Sequence, residues 1–371
     1  ASGATTGSVS LTEAKAAEYF SAAANTVILV PSVPNVNSYN LELPASSLGT
    51  AKTEKALTFD TPSGSVSILD NMLSNLLVTN GKKAGIIIGQ SDKANLTDAE
   101  KEAIGDRPLI QLTLTLDGKQ TDWNNPAAPV TVTIPYKPTA EELKNPESIL
   151  VWYLDGSGRP VCIPNGHYDS DTGTVTFNTT HFSKYAVGYN PATFKDVAEG
   201  AWYHKAVSFI AARGITSGTG NGNYSPDAKL TRGEFIVMLM RAYGIAPDLH
   251  PTDNFTDAGS TWYTNYLAAA KRLDISAGIG RNMYAPKKEI TRQEMFTLLY
   301  NALEVIGQLP EGNSKLLSDY SDASGIETWA KDAMKLLVET GTLNGSGGRL
   351  NPMETAIRAE MAQVLYNLLM Q

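Results

Sequence analysis

The feature that most limits how this chain can fold is a pattern it spells three times. "KLTRGE" ends at Glu234, "EITRQE" at Glu294 and "TAIRAE" at Glu360, each at the head of an apolar, helix-periodic run. With the copies aligned on Trp202, Trp262 and Trp329, a Gly follows sixteen residues later each time: Gly218, Gly278, Gly345. Pro226, Pro286 and Pro352 come seven or eight residues after that, and Arg232, Arg292 and Arg358 six residues after the Pro. An aromatic-x-Asp precedes each Trp, ending at Asp196, Asp257 and Asp322. A period of about sixty residues means that each copy is one supersecondary unit, and that neighbouring copies bury one another's apolar faces.

Each copy reads as helix, Gly-rich loop, helix. Trp202, Ala206, Val207, Ile210 and Ala211 make one apolar face of the first helix. Tyr224, matched by Tyr284 and Leu350, is placed to plug the loop into the core. The second helix is expected to begin at Thr231 and to face inward with Phe235, Met238, Leu239 and Ala242. Thr231 with Glu234, and Thr291 with Glu294, have capping-box spacing, worth about 1 kcal/mol per cap. In the third copy Ile357 stands in the capping place and Thr355 lies two residues early, so that site is weakened.

Capping accounts for Thr and Glu but not for Arg, because a cation in a first turn opposes the helix dipole. Two readings carry similar weight. The guanidinium joins free amides at the helix start to hold a carboxylate or phosphate, or it pairs with a nearby acid such as Asp196 or Asp257. The Trp residues read first as core, with stacking on a sugar face as the functional alternative. The Gly residues read first as positive-φ helix C-caps, and less readily as points where a ligand approaches bare backbone.

Before Asn190 the composition differs. Short alternating runs, "LIQLTLTL" (109–116), "PVTVTIPY" (129–136), "SILVWYLD" (148–155) and "GTVTFNTT" (173–180), are separated by turns such as "DGSG" and "DSDTG". This is the pattern of a mainly antiparallel β sandwich. Helices are expected over 10–24, where Ser10 and Glu13 have capping-box spacing, and over 95–105. "TVILVP" and "AGIIIG" are too short to span a membrane and read as buried strands. The resulting division is 1–190 for the β region, with two small submodules left open, then 191–250, 251–313 and 314–371 for the repeats.

Chemistry-bearing motifs are scarce. With a net charge of −8, the chain lacks a general surface for nucleic acid or anionic membrane, so an anionic partner must be held by a few placed cations. One cysteine, Cys162, makes neither an internal disulfide nor a Cys-based zinc site. The opening "ASGATTGSVS" lacks the charged start and apolar stretch of a signal peptide and fits a processed N-terminus or a cut made within a longer chain. The β region holds two His, His167 and His181, and no metalloprotease, phosphate-loop or nucleophile-elbow motif. Asp155, Asp169 and Asp171 read as turn residues ahead of calcium ligands. No cofactor or metal is expected.

The aromatic-x-Asp, Trp, Gly, Pro and Thr-Arg-x-Glu pattern resembles the S-layer homology domain, over about 194–370. That resemblance implies an all-α, pseudo-threefold body of three repeats whose grooves bind a secondary cell-wall polysaccharide, often ending in pyruvate-ketal-bearing N-acetylmannosamine. It implies ligand contacts from Arg232, Arg292 and Arg358, helped by Trp202, Trp262, Asp196, Asp257 and the backbone at Gly218 and Gly278. The β region offers a shorter resemblance: His181-Phe182-Ser183 is similar to the cleavage junction of GAIN-type and nuclear-pore autoproteolytic domains. A plain terminal strand in which Phe182 and Tyr185 pack is the favoured reading. The chain as a whole is therefore expected to be a secreted, non-enzymatic bacterial surface protein, a β module displayed on a triple wall anchor, with other surface proteins as further partners. A lattice-forming subunit and a surface glycan-active enzyme are the alternatives.

Overall fold

The computed structural model describes residues 5–22, 24–49, 56–76, 82–312 and 315–370. The chain separates into two compact units, Ala1–Pro191 and Ala192–Gln371.

The first unit is a two-sheet sandwich. One sheet contains β1 (Thr5–Ser10), β3 (Val36–Pro44), β6 (Lys83–Gln90), β7 (Leu109–Leu116), β14 (Lys184–Tyr189), β10 (Ile149–Leu154) and β11 (Pro160–Ile163) in that order, with β8 (Lys119–Thr121) beside β7. The other runs β12 (His167–Asp169), β13 (Thr174–Thr179), β9 (Val130–Pro135), β5 (Gly64–Ile68), β4 (Leu57–Thr61), β2 (Thr26–Leu29). Alternate residues of the two sheets, including Leu41, Ile86, Leu112 and Val187 from one and Phe59, Val66, Val132 and Phe177 from the other, form one core. The period-two reading of 109–116, 129–136, 148–155 and 173–180 corresponds to β7, β9, β10 and β13.

Three details differ from expectation. Two outer strands, β1 against β3 and β2 against β4, pair in parallel. The "TVILVP" strand, β2, is an edge strand with Val27 and Leu29 exposed, not a buried one. The first helix, α1 (Glu13–Phe20), is capped by Thr12, because Ser10 ends β1 and donates to Glu42 instead. The second, α2 (Asp98–Ile104), has the full capping box of Thr97 and Glu100. It covers the outer face of the larger sheet through Leu96, Ile104, Leu109, Leu154 and Ala186.

The second unit is helical, with α3 (His204–Ala212) and α4 (Arg232–Ala242) in the first repeat. The others supply α5 (Thr264–Arg272), α6 (Arg292–Val305), α7 (Lys331–Glu339) and α8 (Arg358–Leu369). Its core draws on every repeat: Phe209, Phe235, Leu239, Phe296, Leu299, Met361 and Leu365 are buried together. Tyr224, Tyr284 and Leu350 are fully buried, as their place before the Pro predicted. At the centre the repeats are tied in a closed circuit of backbone bonds. The Leu230 amide donates to Ala356 O (2.9 Å), Ala356 to Ile290 O (3.0 Å), and Ile290 to Leu230 O (2.9 Å).

Candidate functional site

The repeated residues first build the junctions between repeats. Thr231 and Thr291 cap α4 and α6, and Glu234 and Glu294 reach back to the cap amides at 2.9 Å. At α8 only half of the box survives: Glu360 accepts from the Ile357 amide at 2.9 Å, and Ile357 returns no side-chain bond.

Each motif Arg then crosses to the next repeat. Arg232 meets Glu294 at 3.0 Å, Arg292 meets Glu360 at 3.1 Å, and Arg358 returns to Glu234 at 2.9 Å, closing the circuit. The Nε of each donates to a carbonyl of the same neighbour: Tyr284 (2.9 Å), Leu350 (2.8 Å) and Tyr224 (2.8 Å). The two tyrosines reciprocate, their hydroxyls donating to the Arg232 and Arg358 carbonyls at 3.2 and 2.8 Å. Burial pushes both phenols up, so they stay protonated donors. Burial opposes ionisation of Glu294, but the Thr291 amide, Arg232 and Lys288 outweigh it and hold its carboxyl below the ordinary range. Arg232 and Arg358 are 3% exposed.

These bonds revise the sequence reading of the Arg. Its partner is the motif Glu of the following repeat, not Asp196 or Asp257. The helix starts are not free amides either. The Arg232, Arg292 and Arg358 amides donate to Lys288, Glu354 and Ala228 carbonyls, and the next amides to Pro286, Pro352 and Pro226. Asp196 and Asp257 do other work. The two oxygens of Asp196 accept from the Tyr224 and Ser225 amides (2.8 and 2.7 Å), and those of Asp257 from Tyr284 and Ala285 (2.8 and 2.7 Å). Each pair of bonds fixes a non-glycine residue in the left-handed region, Ser225 at φ 59° and Ala285 at φ 58°.

The glycines are not helix C-caps. Gly214, with φ 68°, follows the end of α3. Gly218 and Gly278, both at φ 78°, lie further along the loop, where an added Cβ would stand 2.3 Å from the Asn223 and Met283 carbonyls. The Trp residues are not core: Trp202, Trp262 and Trp329 are 59%, 58% and 51% exposed.

Two grooves bring the repeated residues together, each drawing on all three repeats. A groove of about 430 Å³ is lined by Thr216 to Thr219, Glu234, Val237, Met238 and Arg241 of the first repeat. Trp262 of the second and Arg358 of the third complete it. A larger one, about 690 Å³, is lined by Gly278, Lys288, Gln293, Glu294 and Asn301 of the second repeat, Trp329, Glu327 and Met353 of the third, and Arg232 of the first. Thus Gly218, Trp262 and Arg358 converge, as do Gly278 and Arg232. Trp202, Arg292, Asp196 and Asp257 line neither groove. Sequence reasoning passed over Arg241, Lys288, Gln293 and Trp329. Only Trp329 carried a signal there, its place in the repeat.

In the first unit, Ser183 Oγ donates to the Leu154 carbonyl at 3.2 Å, while His181 Nδ1 lies 3.4 Å from Thr179 Oγ1. Phe182 packs on Trp123 with ring centroids 4.7 Å apart. His181 is therefore not placed as a base for Ser183.

Residues 193–236, 254–296 and 319–362 match the S-layer homology domain family. Among curated proteins, the chain is 28% identical over 322 residues to an amylopullulanase of Thermoanaerobacterium thermosulfurigenes, covering 86% of this chain and 16% of that protein. It is 30% identical over 210 residues to exoglucanase XynX of Acetivibrio thermocellus, covering 56% of this chain and 19% of that one. It is 24% identical over 173 residues to S-layer protein EA1 of Bacillus anthracis, covering 47% and 20%. The chain thus spans a fifth or less of these relatives. Among the described residues, no helix is long and apolar enough to cross a membrane. With three family matches at the spacing of its three interlocked repeats, the second unit belongs to the S-layer homology domain family.

Proposed function

We propose that the second unit holds a bacterial surface protein on the cell wall by binding an anionic secondary cell-wall polysaccharide, carrying a pyruvate ketal, in the grooves at its repeat junctions. One observation carries this reading: at two junctions an exposed Trp, the loop around Gly218 or Gly278 and a guanidinium line one open groove. A ring face stacks on the apolar face of a sugar, and loop groups bond its hydroxyls. The ligand contacts we assign are Trp262 and the Gly218 backbone in one groove, and Trp329 and the Gly278 backbone in the other, while Arg358 and Arg232 hold the groove walls through Glu234 and Glu294. Two grooves on one rigid body gain by multivalency against a dense polymer.

The first unit we read as a displayed, non-catalytic module. Glycoside hydrolysis needs two carboxyl groups facing a cleft. Among the described residues its buried carboxylates are Asp70, Glu100 and Glu142, of which Glu100 closes a helix cap and Glu142 is bound by Arg107 at 2.7 Å and the Tyr136 hydroxyl at 2.8 Å. The match to the amylopullulanase, long enough to reach into this unit, favours a second reading in which the chain is the wall-attached end of a glycan-active enzyme.

Calorimetric titration of the full chain with purified secondary cell-wall polysaccharide tests the proposal. Binding should be lost in a Trp262→Ala, Trp329→Ala double variant. A folded wild-type chain that does not bind would reduce the triplet to a scaffold.

A further inference from the structure

We propose that Arg241, a residue outside the repeated motif, reads the negative charge of the ligand, and that the first groove alone does so. This rests on the reading of the second unit as a wall-polysaccharide binder.

The three junctions share a plan but not a charge. In the first groove Arg358 is spent on Glu234, and Arg241 faces the same space. Arg241 is exposed, and among the described residues no carboxylate pairs with it. Its Nε donates to the Tyr266 hydroxyl at 3.2 Å and its guanidinium lies 5.6 Å from that ring, which orients it without neutralising it. In the second groove Asn301 stands at the corresponding place and donates to the Ile275 carbonyl. Arg232 and Lys288 there share Glu294, at 3.0 and 3.3 Å. Glu327, which accepts from the Trp329 indole at 2.7 Å, brings the formal charge of that groove to zero.

The third junction is acidic. Arg292 meets Glu360 there. The backbone bonds from Arg358 to Ala228, Arg232 to Lys288 and Arg292 to Glu354 show that Glu354 stands where the others have Ala and Lys. Asn367 replaces Arg241. Among the described residues named at the three junctions, a surplus cation therefore stands at the first groove only. It lies beside Trp262, whose exposed ring offers a platform for the sugar that bears the charge. A guanidinium with free donors accepts a carboxylate or phosphate bidentately. The ligand is thus an anionic sugar, its charge at one end in the first groove and its neutral residues against the second.

The test is titration of the full chain, wild type and Arg241→Gln, with purified secondary cell-wall polysaccharide, native and after mild acid removal of ketals, with inorganic phosphate as competitor. Arg241→Gln should weaken binding of the native polymer roughly tenfold or more and lower its salt sensitivity. Because Arg241 is exposed, the variant keeps its fold. If the Arg241-dependent part disappears with the ketals, the charge is a carboxylate. If it persists and phosphate displaces it, the charge is a sugar phosphate. Native affinity unchanged in Arg241→Gln, with wild type binding normally, overturns the inference alone. No binding by wild type overturns the functional reading as well.

Discussion

In the first unit, the residues that meet across the core share no repeated sequence. Phe177 packs on Tyr185 at 4.8 Å between centroids, and strands far apart in the chain pair in a register set by which residues face inward. In the second unit one polar bond is made three times, from an Arg to the Glu of the next repeat. The first unit is specified by shape and alternation. The second is specified by complementarity between copies of one motif, so an error in a single copy is felt by two of them.

Arg358→Ala gives the largest test of that contrast. It leaves the Glu234 carboxylate and the Tyr224 carbonyl without their partner and opens the circuit, for a loss of about 3 kcal/mol. Hydrogen exchange should show protection falling in the first and third repeats together while the sandwich strands are unchanged. A loss confined to α8 would mean that the repeats are held by apolar contact alone. Ile357→Thr tests the same junctions in the other direction. It restores the missing half of the third capping box and should add about 1 kcal/mol to the second unit by urea denaturation.

The smallest effect is in pH. Burial holds His181 below its ordinary pKa, and among the described residues its Nε2 has no hydrogen-bond partner. The unfolded chain therefore binds the proton more readily. Stability of the first unit should be full above the ordinary His range and fall as pH drops through it. The second unit, whose Glu294, Asp196 and Asp322 are held low, should keep its stability to lower pH and lose it only as those carboxylates protonate. Separate urea titrations of the two transitions between pH 7 and about 3 would show whether they divide in this order.

The repeat spacing was enough to place the loops, the helix starts at Thr231 and Thr291 and the buried Tyr224, because these depend on residues near each other in sequence. The Arg partners were not legible, since Arg358 and Glu234 lie 124 residues apart and only closure of the circuit brings them together. The Trp residues misled for a related reason. An apolar ring beside an amphipathic helix looks inward by pattern, but each Trp precedes its helix and falls outside the inward face. In the β region, alternation found the central strands. It could not reveal that β2 lies at an edge, because an edge strand and a buried one are written with the same apolar letters.

The backbone circuit of Leu230, Ala356 and Ile290 has a consequence for how such a protein can be rearranged. A closed ring has no first member. A permuted chain that began at the second repeat and ended with the first would make every one of these bonds again. A single repeat expressed alone carries both halves of the junction, the Arg and the Glu, and so contains the instructions for a homotrimer. Joining three copies in one gene then frees each junction to diverge while the ring stays closed.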